Sequence, residues 1–287
     1  MPDCSIRRSD GSPDAHAQHS AWQGRLTLGF SARDGITRLT TREHCGPLRV
    51  QKPLYPELPH VCHAIVVHPP GGVVGGDQLQ IDADVGPGAH AFLTTPGAAK
   101  WYRANGRVSS QRLALAVGAG ASVEWMPQEA IFFDEAQVEL DQHIALAGDA
   151  SYLGCEIFCL GRRASGERFT AGGIRQRTRI SRGGKLLWWE QGSMTPAAIG
   201  SPLGLAGQSV CATMIAVGAP LRQDVLQSVR ALSAELRFGA SQIRQLLTVR
   251  YLGDDSEAAR ELMLAVWRTL RPHLLQREAF DPRSWRT

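Results

Sequence analysis

Histidine and cysteine side chains cluster between positions 60 and 68, at His60, Cys62, His63 and His68. Imidazole and thiolate groups suit nickel, zinc or copper, so this segment is a candidate for metal contact. In an extended strand, residues two apart share a face, which aligns His60, Cys62 and His68 and turns His63 away. No second Cys or His pair follows at ligand spacing. The pattern therefore favours structural side chains packed near a turn over a resident metal site.

A loop of unusual composition follows at positions 68–77, which read His-Pro-Pro-Gly-Gly-Val-Val-Gly-Gly-Asp. Glycine admits backbone angles that other residues avoid, and proline fixes φ and removes a donor, so no strand or helix interior tolerates this density. The loop lacks the lysine and the Ser or Thr of a phosphate-binding P-loop, and its terminal carboxylate argues against nucleotide binding. We interpret it as a shaped backbone loop whose signature residues are Gly71, Gly72, Gly75, Gly76 and Asp77.

Acidic residues after this loop allow two interpretations. Asp82 and Asp84 alternate with apolar residues, which is typical of the solvated face of a strand. Glu129 and Asp134 flank three apolar residues and are candidates for half-buried carboxylates. The alternative is a carboxylate-lined route for a cation, or a contact with a partner. The candidate metal contacts of the chain are therefore His60, Cys62, His68, Asp77, Glu129 and Asp134.

Cations and aromatic rings lie side by side at positions 100–103. Arginine and aromatic residues are enriched at protein contacts, so we expect Lys100, Tyr102 and Arg103 to form a strand edge or an interface patch. Two charges do not make a stripe that binds nucleic acid. The sequence contains no Gly-x-Ser-x-Gly motif and no pattern that ties Ser, His and Asp together, so we assign no catalytic residue.

Composition narrows the class of protein. The 287 residues carry a net charge of +4 with scattered arginines, so we expect no nucleic-acid partner. Six cysteines without a Cys-x-x-Cys motif indicate reduced thiols and a cytoplasmic location. Residues 1–20 are polar, lack a signal core and are predicted to form a disordered lead. Apolar runs such as 61–67 are too short to span a bilayer, so we expect no membrane association.

Alternating strands and small-residue corners dominate the body of the chain, from about 21 to 220. The runs 25–30 and 36–41 surround the turn Asp34–Gly35, which predicts a hairpin. A weak repeat has three copies, whose small-residue corners begin at Val85, Val117 and Leu146. In each copy the corner follows one predicted strand and precedes another. Repeats of this period indicate the stacked coils of a β-helix-like fold, with a two-sheet sandwich as the competitor. Further strands are predicted at Phe169, Arg175–Ile180, Lys185–Gln191 and Leu246–Leu252.

The last third of the chain changes to a helical period. Apolar residues at three- and four-residue steps predict an amphipathic helix over about 221–238, with Gly239 as its stop. A second helix is predicted over about 254–271, from an acid-rich start to Pro272. We therefore predict a mainly β chain in one domain over 21–287: a β-helix-like or stacked-sheet body with two C-terminal α-helices packed on it.

Separated blocks of the sequence resemble the urease accessory protein UreD family, also called UreH. The central block is Cys62–His63 together with the loop 68–77, and the other blocks keep the family's order along the chain. The resemblance implies a β-helix-like fold and a single UreD-like domain. The other blocks are Trp22–Leu26, Gly46–Glu57, Thr94–Lys100, Pro127–Glu129 with Asp134, Ser165–Arg168, Arg250–Gly253 and Val266–Pro272.

The same resemblance implies a role in the maturation of urease. Proteins of this family bind apo-urease and the accessory protein UreF, and UreF recruits the GTPase UreG, which brings nickel. We therefore expect a scaffold or chaperone that allows GTP-dependent nickel insertion and catalyses no reaction itself. Its expected partners are apo-urease, UreF and UreG, with a homo-oligomer of the accessory complex formed through UreF. No cofactor is expected to bind tightly, and nickel is expected to bind only transiently.

Two other functions stay open from the residues alone. A β-solenoid enzyme that acts on a polysaccharide would need a cluster of acidic and basic residues along one sheet face, and the acids here do not recur in register across the three repeat copies. An interaction module unrelated to metal is the third possibility. Co-purification with apo-urease and UreF separates the three.

Overall fold

The computed structural model describes residues 21–286, so the lead expected over 1–20 lies outside the described residues. Strands make up most of the regular structure, and buried and exposed residues alternate along many of them. The strands in chain order are β1 (Gln23–Arg33), β2 (Ile36–Cys45), β3 (Arg49–Val50), β4 (Val61–Val67), β5 (Gln78–Val85), β6 (His90–Thr94), β7 (Ala99–Trp101), β8 (Ser109–Val117), β9 (Ser122–Met126), β10 (Ala130–Phe132), β11 (Gln137–Leu146), β12 (Ser151–Leu160), β13 (Gly173–Arg182), β14 (Lys185–Met194), β15 (Val210–Val217), β16 (Phe238–Ile243) and β17 (Leu246–Gly253).

The α-helices of the described residues are α1 (Pro196–Gly200), α2 (Gln223–Arg230) and α3 (Ser256–Leu275). The long helix α3 begins after Asp255, whose carboxylate accepts hydrogen bonds from the N–H groups of Glu257 and Ala258. These bonds satisfy two of the donors that every helix leaves free in its first turn. The acid-rich start seen in the sequence therefore supplies the cap of α3.

Four successive coils of parallel strands form the body. The coils consist of β4 with β5, β6 with β8, β9 with β11, and β12 with β13. The first strand of each coil pairs in parallel with that of the next coil in a ten-stranded sheet. The second strands pair in the same way in a seven-stranded sheet. The predicted β-helix-like body is confirmed as a β-solenoid-like stack.

The repeated small-residue corners lie between one coil and the next. The corner alanines Ala89, Ala121 and Ala150 are buried, and each donates its N–H to the carbonyl three residues earlier, at 3.1, 3.1 and 3.0 Å. A Cβ atom at Gly118 would lie 2.7 Å from the backbone nitrogen of Pro87 in the corner below. The corners therefore stack too closely for larger residues, which explains the repeat seen in the sequence.

The protein has three layers. The seven-stranded sheet packs on one face of the ten-stranded sheet around a core that includes Leu26, Leu93, Leu113 and Phe132. Helices α2 and α3 pack on the other face, where Trp267 joins a second core. Antiparallel strands extend both sheets: β2 and β14 flank the seven-stranded sheet, and β15, β17 and β16 extend the other.

The first predicted helix is shorter than its apolar spacing indicates. Helix α2 ends at Arg230 and not near 238, and Gly239 lies within β16 instead of stopping a helix. The hydroxyl of Ser233 accepts hydrogen bonds from the N–H groups of Glu235 and Leu236, at 3.3 and 3.2 Å. Such side-chain bonds compete with the helical pattern, so the chain turns towards β16.

Two other local predictions are wrong. Helix α3 runs through Pro272 to Leu275. A proline in the last turn removes only one hydrogen bond, and the carbonyl groups at the end of a helix lack intrahelical partners in any case. Phe169 is not in a strand: it lies in the loop before β13, where its buried ring packs into the core between the sheets.

The prediction of reduced cysteines is confirmed at four positions. Cys62, Cys155, Cys159 and Cys211 are free thiols. Burial raises the pKa of the Cys159 thiol and of the Cys211 thiol to about 12, so both stay protonated and unreactive at neutral pH. Cys45 is disulfide-bonded, and the prediction of a reduced thiol is wrong there.

Candidate functional site

The glycine loop 68–77 forms the third, short side of the first coil. Val73 donates its N–H to the carbonyl of Lys100 at 2.7 Å, and Tyr102 donates its N–H to the carbonyl of Val73 at 2.9 Å. Strands β7, β10 and the end of β12 continue this pairing in parallel through the next coils. The loop therefore lies at one end of a short ladder of parallel strands, which runs from Val73 through β7 and β10 to β12.

The absence of a side chain at two glycines allows this packing. A Cβ atom at Gly72 would lie 2.3 Å from the ring of Tyr102. A Cβ atom at Gly75 would lie 2.9 Å from the backbone nitrogen of Asn105. Of the other two signature glycines, Gly71 donates its N–H to the carbonyl of His68 at 3.1 Å and Gly76 has a φ of 99°. A side chain at Gly72 or Gly75 would push the loop away from the second coil.

Aromatic rings extend this contact along the solenoid. The ring of Tyr102 meets the ring of Phe133 edge-on, with centroids 4.9 Å apart. The guanidinium of Arg162 lies 4.3 Å from the centroid of Phe133. We call the series Gly72, Tyr102, Phe133 and Arg162 the signature ladder, because it passes through all four coils. Residues from four separated segments of the chain thus meet on one side of the molecule.

Asp77 holds the loop closed. Its Oδ1 accepts a hydrogen bond from the N–H of Trp22 at 2.9 Å, and its Oδ2 accepts one from the N–H of Val74 at 3.1 Å. The carboxylate is almost fully buried. Charge-assisted bonds of this kind are stronger than neutral ones, so Asp77 fixes the loop against the segment that enters β1.

The predicted interface residues lie next to the signature ladder. Lys100 is exposed, and Arg103 forms an exposed ion pair with Glu135 in the next coil. The neighbouring Asp134 accepts hydrogen bonds from the N–H groups of Thr170 and Ala171, at 2.6 and 2.9 Å. Burial raises the pKa of the Asp134 carboxyl, but these hydrogen bonds outweigh it and lower the pKa below its usual range. Asp134 is therefore an anionic cap for the next loop.

The candidate metal contacts are not brought together. His60 Nδ1 lies 2.7 Å from the carbonyl oxygen of Gly35, and Cys62 is buried with its thiol 3.6 Å from the hydroxyl of Tyr55. Glu129 pairs with Arg260 at 3.3 Å. Within residues 21–286, no group of three or more His, Cys, Asp or Glu side chains is arranged to hold a metal ion.

A cavity of about 210 Å³ lies inside the solenoid, between the two sheets and below the short ladder. His68 and Trp125 line it, and among residues 21–286 neither His68 Nε2 nor Trp125 Nε1 has a hydrogen-bond partner. Burial lowers the pKa of the His68 imidazole, while the charge of Asp77 opposes this shift. Among the predicted metal contacts, His68 is thus a neutral side chain with an unused polar atom.

Glu156 is the carboxylate of this cavity. Its Oε2 accepts a hydrogen bond from Gln176 at 3.0 Å. The side chain lines the cavity, and burial, together with the charge of Glu190, raises its pKa to about 7. Sequence reasoning missed Glu156, although a lone acid within the apolar run of β12 was a usable signal.

A second buried cluster lies between the ten-stranded sheet and α3. Glu124 accepts hydrogen bonds from Arg271 and from the indole of Trp267 at 2.6 Å, and His90 Nε2 lies 2.8 Å from its Oε1. Arg271 also pairs with Glu57 at 2.8 Å. Burial raises the pKa of the Glu124 carboxyl, but His90 and Arg271 outweigh burial and lower the pKa to about 2. Sequence reasoning missed this cluster too.

The acids of the outer face agree with the solvated interpretation. Asp82 accepts a hydrogen bond from Gln80 at 2.7 Å and lies 3.9 Å from Arg25, and Asp84 is exposed. Neither lines the cavity. The carboxylate that lines the cavity is Glu156, which sequence reasoning did not select.

These features define a β-solenoid-like protein that is closed by helices and holds its signature residues on one side. The sequence profile described as UreD urease accessory protein matches residues 23–286. The chain belongs to the UreD family. Relatives described as urease accessory protein UreD are 57% identical in Janthinobacterium sp. (strain Marseille), over 92% of each chain, and 48% identical in Nitrosospira multiformis, over 94% of this chain and 100% of the relative. A third, in Azoarcus sp. (strain BH72), is 47% identical over 95% of this chain and 96% of its own.

Helix α3 is the longest helix between residues 21 and 286, and it carries several charged side chains. None of the helices in this range combines the length and the apolar character needed to cross a membrane.

Proposed function

We propose that this chain is a non-catalytic scaffold of urease maturation, which binds apo-urease together with UreF and UreG and allows GTP-dependent insertion of nickel. Family membership supports the link to urease maturation. The partners and the metal follow from the resemblance of the sequence. On the same basis we propose a cytoplasmic location and assembly of a larger accessory complex through UreF.

The observation that carries the proposal is the acid inside the solenoid. A carrier of nickel needs few and weak ligands, because the ion must leave again, in contrast to a four-ligand structural site. Glu156 offers one carboxylate with a pKa of about 7, and His68 offers an unused imidazole nitrogen in the same cavity. A divalent cation that reaches Glu156 would displace a proton near neutral pH. Nickel is thus a cargo in this proposal and not a resident cofactor.

The test measures the nickel content of urease that is co-expressed with UreF and UreG, with and without this chain. Urease purified without the chain should contain little nickel, and Glu156→Gln should lower the nickel content several-fold. The matched control is Glu139→Gln, which changes an exposed, ion-paired glutamate on the outer face. Full metallation of urease without the chain would contradict the scaffold, and so would polysaccharide cleavage by the isolated protein.

A further inference from the structure

The seven-stranded sheet ends at β14, which pairs with β13 on one side only. In the part of the chain that the structure describes, no strand pairs with its other edge. Unpaired edges are templates for another strand, and natural proteins protect them with charges, prolines or strong bulges. The β13–β14 pair has a register shift near Ser181, but β14 contains no proline.

Two large apolar side chains of β14 are exposed, beside the exposed polar residues Lys185, Gln191 and Ser193. Leu186 is 59% exposed and Trp189 is 49% exposed. Trp189 lies opposite Arg179 of β13, and the guanidinium of Arg179 is 5.7 Å from the centroid of the indole. Large apolar side chains exposed in this way, beside an arginine, are typical of protein contacts. We call Arg179, Lys185, Leu186 and Trp189 the edge strip.

The two cations of the edge strip form no salt bridge with the described carboxylates, although Arg179 contributes, after Arg177, to the lowered pKa of the Asp141 carboxyl. On the same strand β13, Arg175 pairs with Glu139 and Arg177 pairs with Asp141. Arg179 continues this row, yet neither Arg179 nor Lys185 forms a salt bridge with any described carboxylate, and Arg179 Nε is buried without a hydrogen-bond partner. An acidic ligand would supply the missing acceptor.

We infer that β14 binds an extended, acidic segment of a partner protein, which adds to the sheet as an eighth strand. Backbone hydrogen bonds along the free edge would give affinity, as in other cases of strand addition. Apolar residues of the segment would cover Trp189 and Leu186, and its carboxylates would face Arg179 and Lys185. A second copy of this chain fits poorly, since its own strip would bring the same cations to the contact.

The test uses the full chain and a fluorescein-labelled peptide with the repeat Glu-Glu-Val-Val, which presents both a carboxylate and an apolar side chain to each face of the added strand. Fluorescence anisotropy should show binding, and Trp189→Ala and Arg179→Glu should each raise the dissociation constant by about tenfold or more. The control for size is Trp22→Ala, which removes an indole of similar exposure, 52%, just before β1, near the opposite end of the seven-stranded sheet. The control for charge is Arg244→Glu in the exposed turn between β16 and β17. Thermal unfolding of each variant confirms that it is folded.

Amide hydrogen exchange with and without the peptide locates the contact. Protection should appear in β14 and not in β16, the edge of the other sheet. The inference is wrong if the peptide fails to bind, if a lysine–valine peptide binds as well, or if the strip variants bind like the wild type. It is also wrong if the wild type dimerises on size-exclusion chromatography and Trp189→Ala makes it a monomer. These outcomes are independent of the nickel content of urease, so they do not test the proposed function.

Discussion

Arg271 of α3 donates its Nε–H to both carboxylate oxygens of Glu124 in β9, at 3.1 Å each, although 147 residues separate the two in the sequence. Both side chains are completely buried. Glu57, before β4, completes the neutralisation of Arg271. One arginine thus joins the C-terminal helix to the first and third coils of the body.

Removal of this arginine should be strongly destabilising. Arg271→Met leaves Glu124 and Glu57 buried without their cation, and breaking a buried pair in this way typically costs about 3–5 kcal/mol. Urea unfolding followed by circular dichroism measures the loss. Arg268→Met, on the same helix, removes only an exposed pair with Asp281 and should cost less than about 1 kcal/mol. Equal losses for the two variants would refute a special role for Arg271.

The Glu124 carboxylate should make stability depend on pH in the acid range. Its pKa lies near 2 in the folded protein against 4.5 ordinarily, so the unfolded chain takes up the proton first as the pH falls. The free energy of unfolding should therefore fall by about 3 kcal/mol between about pH 4.5 and pH 2. Urea unfolding at a series of pH values measures this slope. Glu124→Gln should lose most of it, whereas Glu257→Gln, at the start of α3, should keep it.

Glu156 should have the opposite effect near neutrality. Its pKa is raised to about 7, so the folded state keeps a proton that the unfolded state has already released. Its contribution to stability is complete below about pH 4.5 and is lost as the pH rises through 7, by about 3 kcal/mol. Glu156→Gln should abolish this decline in urea unfolding from pH 5 to pH 8. A variant whose decline matches that of the wild type would show that Glu156 ionises freely.

The glycine loop should not tolerate a methyl group at Gly72. A Cβ atom there would lie 2.3 Å from the Tyr102 ring, which is itself packed against Phe133. Gly72→Ala should therefore lower the free energy of unfolding by about 1–3 kcal/mol, as overpacked sites do. Gly97→Ala is the control, because no atom of the described part of the chain, apart from its neighbours in sequence, lies within 4 Å of its Cβ position. A melting temperature of Gly72→Ala equal to that of the control would mean that the Tyr102 ring moves aside freely.

Local patterns predicted the solenoid because its geometry repeats locally. Strand alternation has a period of two, and the corners at Ala89, Ala121 and Ala150 need small residues at each turn. Helix ends were less predictable. The apolar spacing of α2 continues past its end, where the hydroxyl of Ser233 binds the backbone, and Pro272 lies within α3 without stopping it.

The interior chemistry could not be derived in the same way. Glu124 and Arg271 interrupt apolar patterns, which marks them as unusual, but no local rule pairs residues so distant in the chain. Glu156 faces a cavity that exists only after the two sheets have met. The candidates around His60 and Cys62 were chosen by chemical type, and the structure separates them because each forms its own contact with a nearby loop.

The 147 residues between Glu124 and Arg271 also constrain synthesis. A ribosome releases β9 long before it has made α3, so the Glu124 side chain meets water or solvent ions while the coils form. The outer layer can close over it only after α3 has been made. A chain that terminates before α3 would therefore leave Glu124 and its face of the ten-stranded sheet exposed to solvent, whereas α3 excludes water from this face.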